Sequence, residues 1–304
     1  MTGIRERRFW AAETRPSEAA AKAAKAALAQ AGLDQAELGA LLYCGVSRDF
    51  VEPATSTAVA RALGLPPDVL NFDLSNACLG MLSGIAVLAD AITAGSLSCG
   101  MVVTGENSRP LVEHTIARLN ADTTLTRQSL KPEFASLTIG SAAAAVIVAK
   151  RGFGGRAGHA LQAIAHASDC EGSALCQGDA AGGMVAGSQP VMKTDSHELL
   201  VQGIAVAERM WRRLQAEGCW KNGRPDLVCG HQVGKVHRDQ LFARLGLPVE
   251  LDFPVFPELG NCGSASLPAC CALAAERGAL RPGMRLAWLG IGSGINSAGA
   301  AIRW

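Results

Sequence analysis

A layered α/β architecture is what this sequence predicts, on three observations. Apolar helical stretches alternate with short buried-strand stretches along most of the chain, the grammar of helices packed on sheets. Several of these stretches open at a proline or close at a glycine, the punctuation expected of helix ends. After a Gly-rich break near residues 152–158 the same alternation restarts, which divides the chain into an N-terminal half, residues 1–158, and a C-terminal half, residues 159–304. Two similar halves suggest an ancient duplication, although no repeat can be read directly from the residues.

In the first half, PSEAAAKAAKAALAQAG (16–32) reads as an Ala-rich helix opened by Pro16 and stopped at Gly32, and Leu41 to Val46 as a buried strand. PATSTAVARALG (53–64) repeats the punctuation, with Pro53 at its start and Gly64 at its end. A strand over Val69 to Leu74 precedes an apolar helical pattern from Leu79 to Ala94, closed by Gly95. CGMVVTG (99–105) is a strand, the polar, arginine-bearing segment 106–136 a helical excursion, and SAAAAVIVAK (141–150) a further strand. In the second half a long amphipathic helix spans 197–217 and ends at Gly218. DLVCG (226–230) is a strand, SLPACCALAAERG (266–278) a helix and MRLAWLG (284–290) a strand.

Composition narrows the function classes. With 304 residues, 49% hydrophobic and only 18% charged, the chain can bury a large core and carries little disorder. A net charge of +1, with no Lys/Arg cluster interleaved with aromatics, excludes a nucleic-acid partner held by bulk electrostatics. The ten cysteines (44, 78, 99, 170, 176, 219, 229, 262, 270, 271) form no C-x-x-C pair and no regular framework. They read as reduced thiols, with neither zinc nor disulfides required, in a cytoplasmic protein. No apolar run reaches the ~20 residues of a membrane span, and MTGIRERRFW is not a signal peptide.

Chemistry collects at strand ends. Cys78, in NFDLSNACLG, stands where a strand gives way to a helix. Unpaired N–H groups and a positive local field there stabilise a thiolate, which would make Cys78 the most reactive of the ten thiols; a cysteine at such a joint also serves as a small hydrophobe. His231, in DLVCGHQVGK, lies just past a strand, where open α/β sheets put working residues and where structural histidines also occur. Asn261, in ELGNCGSASLP, sits in a Gly-flanked loop ahead of a helix, where its amide can face a ligand or shape a turn. WLGIGSGIN (288–296) leaves a strand into a turn with three glycines, letting backbone N–H groups approach a reacting carbonyl oxygen. No helix pattern follows it, which argues against a dinucleotide-binding fingerprint.

Taken in order, NACLG, GHQVG, GNCGSASLP and GIGSGIN resemble the ketoacyl synthase III group of the thiolase superfamily, over a stretch running from TGIRERR to the last strand. The resemblance implies a thiolase fold, two duplicated α/β halves stacked in five layers (αβαβα). The N-terminal half then carries the nucleophilic cysteine, and the C-terminal half the histidine and asparagine. It implies a triad of Cys78, His231 and Asn261, and an oxyanion hole made by the backbone N–H groups of Cys78 and Ser293. VSRDFVEPATS, NACLG, HQVG and LGIGSGIN look like the thiolase of bacterial long-chain olefin biosynthesis. That enzyme joins two fatty acyl-CoA molecules head to head into a β-keto acid, with acyl-CoA as substrate and no cofactor. Housekeeping synthases usually show HQAN and a glycine triplet, and their polar excursion is shorter.

The two chemistries differ physically. A decarboxylating synthase makes its carbanion by losing CO₂, whereas head-to-head condensation must remove an α-proton and needs a base. A degradative thiolase supplies a second cysteine in the terminal glycine loop, but residues 290–294 here hold no thiol. Glu52 resembles the glutamate that the olefin-forming branch supplies from the neighbouring subunit of a homodimer; the other reading is a carboxylate set against a helix dipole. The alternative function is a 3-oxoacyl synthase III extending an acyl group with malonyl-carrier protein, or a related acyltransferase, with acyl carrier protein as a partner. Downstream olefin-pathway enzymes are partners the first reading implies. A noncatalytic subunit of a heterodimer is argued against by the intact Cys, His and Asn. Family members begin upstream of TGIRERR with a strand of the first sheet. This chain has Met1 there, so either the start is placed late or the first sheet is expected to lack that strand.

Overall fold

The computed structural model describes residues 2–179, 191–220 and 223–304. Its strands are β1 (Ala40–Tyr43), β2 (Leu70–Asp73), β3 (Cys99–Glu106), β4 (Ala142–Ala149), β5 (Ala160–Ser168), β6 (Cys176–Asp179), β7 (Val191–Thr194), β8 (Leu227–Gly230), β9 (Arg285–Gly292) and β10 (Asn296–Arg303). Its helices are α1 (Pro16–Ala31), α2 (Thr55–Leu63), α3 (Gly80–Thr93), α4 (Arg109–Ala121), α5 (Arg127–Leu130), α6 (Ser196–Ala216), α7 (Lys235–Leu245), α8 (Phe256–Leu259) and α9 (Ser266–Glu276). One sheet has the order β2-β1-β3-β4 and a second β5-β10-β9-β8, while β6 and β7 form a small separate hairpin. In the first sheet β1 runs parallel to both β2 and β3, and β4 is antiparallel to β3. In the second, β8 and β9 are parallel and β10 runs antiparallel to β9 and β5.

Period-two alternation along the strands builds three apolar strata. Ala40, Leu42, Cys44 and Val102 face inward onto Leu82, Ile85 and Leu88 of α3 and meet Leu267, Cys270 and Ala274 of α9. The neighbouring Leu41, Tyr43, Met101 and Val103 face outward onto Ala20, Ala24 and Leu28 of α1 and Val59 and Leu63 of α2. Across the molecule Val228, Ala287 and Leu289 face Val206, Met210 and Leu214 of α6 and Phe242 of α7. The result is five layers: α1 and α2, first sheet, α3 and α9, second sheet, α6 and α7.

Several expected boundaries move, each for a stated reason. The strand expected over 41–46 ends at Tyr43, because the amides of Val46 and Ser47 bond to the Glu106 carboxylate, at 3.0 Å each, instead of to a strand. The helix expected from Pro53 begins at Thr55. Its first amides are held by Asp73 of β2, at 2.9 Å to Thr55 N and 2.8 Å to Ser56 N, which is a cap supplied from outside the helix. The GIGSG segment is not all turn, since β9 continues to Gly292 and only Ser293 to Ile295 separate it from β10. In the first sheet β4 is an edge, with no strand on its far side among the described residues.

Candidate active site

Cys78 lies in a single turn, Ala77–Leu79, between β2 and α3. Ala77 holds φ at 44°, a left-handed conformation costing a non-glycine residue about 1–3 kcal/mol. The turn is held tightly from both sides. Gly80 abuts the Cys44 carbonyl, and a Cβ on Gly84 would come within 2.7 Å of Cys44 Sγ, so α3 docks against β1 at a depth that only glycine allows. Opposite, a Cβ on Gly292 would lie 3.1 Å from Leu79 Cγ and 3.7 Å from the Cys78 nitrogen, which brings the loop carrying Ser293 against the cysteine turn.

Two asparagines that sequence reasoning missed tie these pieces together. Asn76 Nδ2 donates to Ser83 Oγ at 2.8 Å, and Asn296 Nδ2 donates both to Asn76 Oδ1 and to the Ser293 carbonyl, at 3.2 Å each. The sequence signal was only their place, two residues before the cysteine and three after the serine.

His231 leaves β8 with its amide on the Leu289 carbonyl, and its ring Nε2 stands 3.1 Å from Asn261 Oδ1. The Asn261 main chain is pinned by the segment just before β4: its N–H donates to Thr138 O at 3.0 Å and its carbonyl accepts from Gly140 N at 2.9 Å. Asn261 Oδ1 also accepts the Gly263 amide at 3.0 Å, which fixes the flip of the carboxamide. Its Nδ2 therefore points elsewhere and makes no hydrogen bond among the described residues.

Burial dominates the electrostatics. The Cys78 thiol is pushed up to about 12, first by burial and then by the nearby Glu106 carboxylate. This corrects the expectation of a readily ionised thiolate: the field at the start of α3 is outweighed by desolvation. Burial also lowers the His231 pKa, against contacts with Asn261 and the Ile291 carbonyl that favour the protonated ring. Both groups thus rest neutral at pH 7. Among the described residues no cluster of His, Cys, Asp and Glu is arranged to hold a metal ion, and no helix is long and apolar enough to cross a membrane.

Comparison with known proteins gives a concordant answer. Residues 1–150 match the thiolase N-terminal domain, and residues 216–304 the C-terminal domain of 3-oxoacyl-[acyl-carrier-protein] synthase III. The acyl-CoA:acyl-CoA alkyltransferase of Shewanella oneidensis is 40% identical, matching 100% of this chain and 87% of that protein. The chain belongs to the acyl-CoA:acyl-CoA alkyltransferase family of the thiolase superfamily. The family's protein from Xanthomonas campestris pv. campestris is 31% identical over the same shares. A crystal structure of Xanthomonas campestris OleA, a cysteine variant with bound lauric acid and lauroyl-CoA, superposes with a TM-score of 0.91 at 30% identity, covering 100% of this chain and 87% of that one.

One residue that the family resemblance nominated stands apart. Glu52 is exposed, in the bend before α2, and makes no hydrogen bond or ion pair among the described residues. The first amides of the helix that follows it are capped by Asp73. Just before Glu52 in the chain Phe50 and Val51 expose large apolar side chains.

Proposed function

We propose that this alkyltransferase-family chain joins two long-chain acyl-CoA molecules head to head, through an acyl-cysteine on Cys78, to give a β-keto acid. The observation that carries condensation is the His231–Asn261 pair, and the exposed Glu52, a base that a decarboxylating synthase does not need, favours its head-to-head form. One carboxamide oxygen is fully occupied, one amide nitrogen is unengaged, and a neutral imidazole sits beside it, a pair of donors suited to an enolate oxygen. In the first half-reaction the Cys78 sulfur attacks the thioester carbonyl. The backbone N–H groups of Cys78 and Ser293 stabilise the oxyanion, and the thiol proton leaves on the departing CoA sulfur. In the second, Glu52 removes the α-proton of a second acyl-CoA, whose enolate oxygen is held by Asn261 Nδ2–H and by His231 Nε2–H, which exchanges Asn261 Oδ1 for the substrate oxygen. The carbanion attacks the acyl-Cys78 carbonyl, the cysteine sulfur leaves and regains a proton, and hydrolysis of the β-ketoacyl-CoA releases β-keto acid and CoA.

The halves 1–158 and 159–304 supply the cysteine and the donor pair respectively. Exposure of Glu52 directly after the exposed Phe50 and Val51 supports a homodimer in which the partner subunit's Glu52 enters the site. The reaction calls for no cofactor, takes place in the cytoplasm and feeds hydrocarbon biosynthesis. Incubation with myristoyl-CoA alone, followed by mass spectrometry, tests the reading. A long β-keto acid or its decarboxylated ketone is expected; product only when malonyl-carrier protein is added would select the synthase III chemistry instead.

A further inference from the structure

Glu106 ends β3 with its side chain buried, yet the scheme above gives it no task. Four donors converge on it. Oε1 accepts from Val46 N at 3.0 Å, Ser264 N at 3.2 Å and Ser264 Oγ at 2.6 Å, and Oε2 accepts from Ser47 N at 3.0 Å. Ser264 Oγ is itself in contact with Thr104 Oγ1 at 2.7 Å, so the serine cannot turn away. Gly263 completes the fit, because a Cβ there would sit 3.0 Å from Oε1. Only an acceptor-only group satisfies this geometry: an amide in its place would turn an NH₂ toward one of the donors.

The donors come from two loops that matter. Ser264 follows Asn261 by three residues, and Val46 and Ser47 open the segment that runs on to Glu52. We propose that Glu106 is a positioning residue that clasps the Asn261 loop of one half to the Glu52-bearing loop of the other, fixing both contributors to the condensation step. Its carboxylate stands near Cys78, Cys262 and the Tyr43 hydroxyl, and after burial it is the next influence pushing both thiols up. A group that opposes thiolate formation is not there to activate the nucleophile, which directs its role to the second half-reaction. This inference rests on the acyl-Cys78 condensation reading.

The test uses Glu106→Gln and Ser264→Ala in the whole enzyme, with acyl-Cys78 formation and product formation from myristoyl-CoA measured separately. Glu106→Gln should keep acylation within a few-fold while condensation falls roughly 10²-fold, the cost of about 1 Å of misplacement. With the negative charge gone, its Cys78 alkylation should also gain its pH dependence at lower pH than in wild type. Ser264→Ala, which cuts one strand of the clasp and leaves the charge, should lose about tenfold in condensation with no change in that pH profile. Equal losses of acylation and condensation, or no loss in either variant, overturn the proposal. Should Glu106→Gln fail to fold, Ser264→Ala decides by the same criterion. If wild-type enzyme condenses only with a malonyl thioester, the head-to-head reading has failed, and the variants are judged in that reaction, where Asn261 must still hold the enolate.

Discussion

The strands β4 and β10 hold the same place in the two sheets, and the molecule treats them differently. Each runs antiparallel to a central strand, β3 or β9, which in turn pairs in parallel with β1 or β8. Beyond β10 lies β5, paired along its length, and residues 297–301 are buried. Beyond β4 there is no strand among the described residues, and most of its side chains keep partial exposure. At the other end the asymmetry reverses. β1 has a full neighbour in β2, whereas β8 has on that side, among the described residues, only the single bridge from Val228 to Asp252. Where the first half has the strand β2 leading toward Cys78, the second has in that place a segment held by a side chain. Gln232 accepts from Val255 N at 2.6 Å and Phe256 N at 2.9 Å and donates to Phe253 O at 2.8 Å, pinning the irregular path that leads to Asn261. A duplicated scaffold thus leads to the Cys78 turn from a fully paired strand on one side and to the Asn261 loop along an irregular path pinned by a side chain on the other.

If that division of labour is right, lesions in the two halves fail at different steps. Cys78→Ala should abolish acylation and condensation together, the largest effect expected. His231→Ala and Asn261→Ala should still form acyl-Cys78, as intact-protein mass spectrometry would show, while condensation falls by about 10²–10³-fold per lost donor. A His231 or Asn261 variant that cannot be acylated would merge the two halves' roles and break the comparison.

Glu52 sharpens it by adding a second chain. Glu52→Gln keeps size and removes basicity, so acylation should survive and condensation should fall by roughly 10²–10⁴. Mixed dimers purified through two tags, one subunit Cys78→Ala and the other Glu52→Gln, should recover up to about half of wild-type activity, since an isologous dimer then holds one intact site. Verified mixed dimers without recovery would put Glu52 to work on its own subunit's cysteine.

The thiol's environment gives a smaller, graded effect. With Cys78 pushed up to about 12, on the order of 10⁻⁵ of it is ionised at pH 7, against a few per cent for a free cysteine. Because a raised pKa leaves the reactive thiolate scarce until high pH, iodoacetamide labelling of Cys78 should rise about tenfold per pH unit from 7 to beyond 10. The exposed Cys170 should be labelled first at neutral pH, the reverse of what the helix-start position alone suggested. A plateau in Cys78 labelling below pH 9 would restore the ionised thiol.

What the sequence made legible is what short-range pattern controls. α1, closed by Gly32 in a left-handed cap, and the apolar α3, β3 and β9 all carry their own punctuation and lie where the pattern put them. The five layers came from resemblance, not periodicity. Features set by distant side chains were not legible: the early end of β1 depends on Glu106, about sixty residues on, and the start of α2 on Asp73. α7 escaped because KVHRDQLFARL buries only Phe242 and Leu245, too few to mark a face. β5, with ALQAIAHAS half-exposed on alternate positions, escaped for a similar reason. In the site, the contact between His231 and Asn261 was foreseeable from motif order. The direction of the Cys78 shift was not, because burial is a property of the assembled layers.

The smallest effect belongs to the tie across the seam. Asn296 reaches 220 positions along the chain to Asn76 and also holds the Ser293 carbonyl, so it sets the spacing between the two backbone N–H groups assigned to the oxyanion. Asn296→Ala removes donors of ordinary neutral hydrogen bonds, and stability should fall by only about 1 kcal/mol. The oxyanion site, however, depends on distances of a few tenths of an ångström. Acylation of Cys78 in a single turnover should therefore slow roughly tenfold, equivalent to about 1.4 kcal/mol of barrier. Ser83→Ala, which frees Asn76 from the α3 side while leaving the Asn76–Asn296 contact, should slow it less. A lowered melting temperature with unchanged acylation would reduce the asparagine pair to a packing contact and leave the approach of the Ser293 loop to the cysteine turn to the close fit of Gly292 on Leu79.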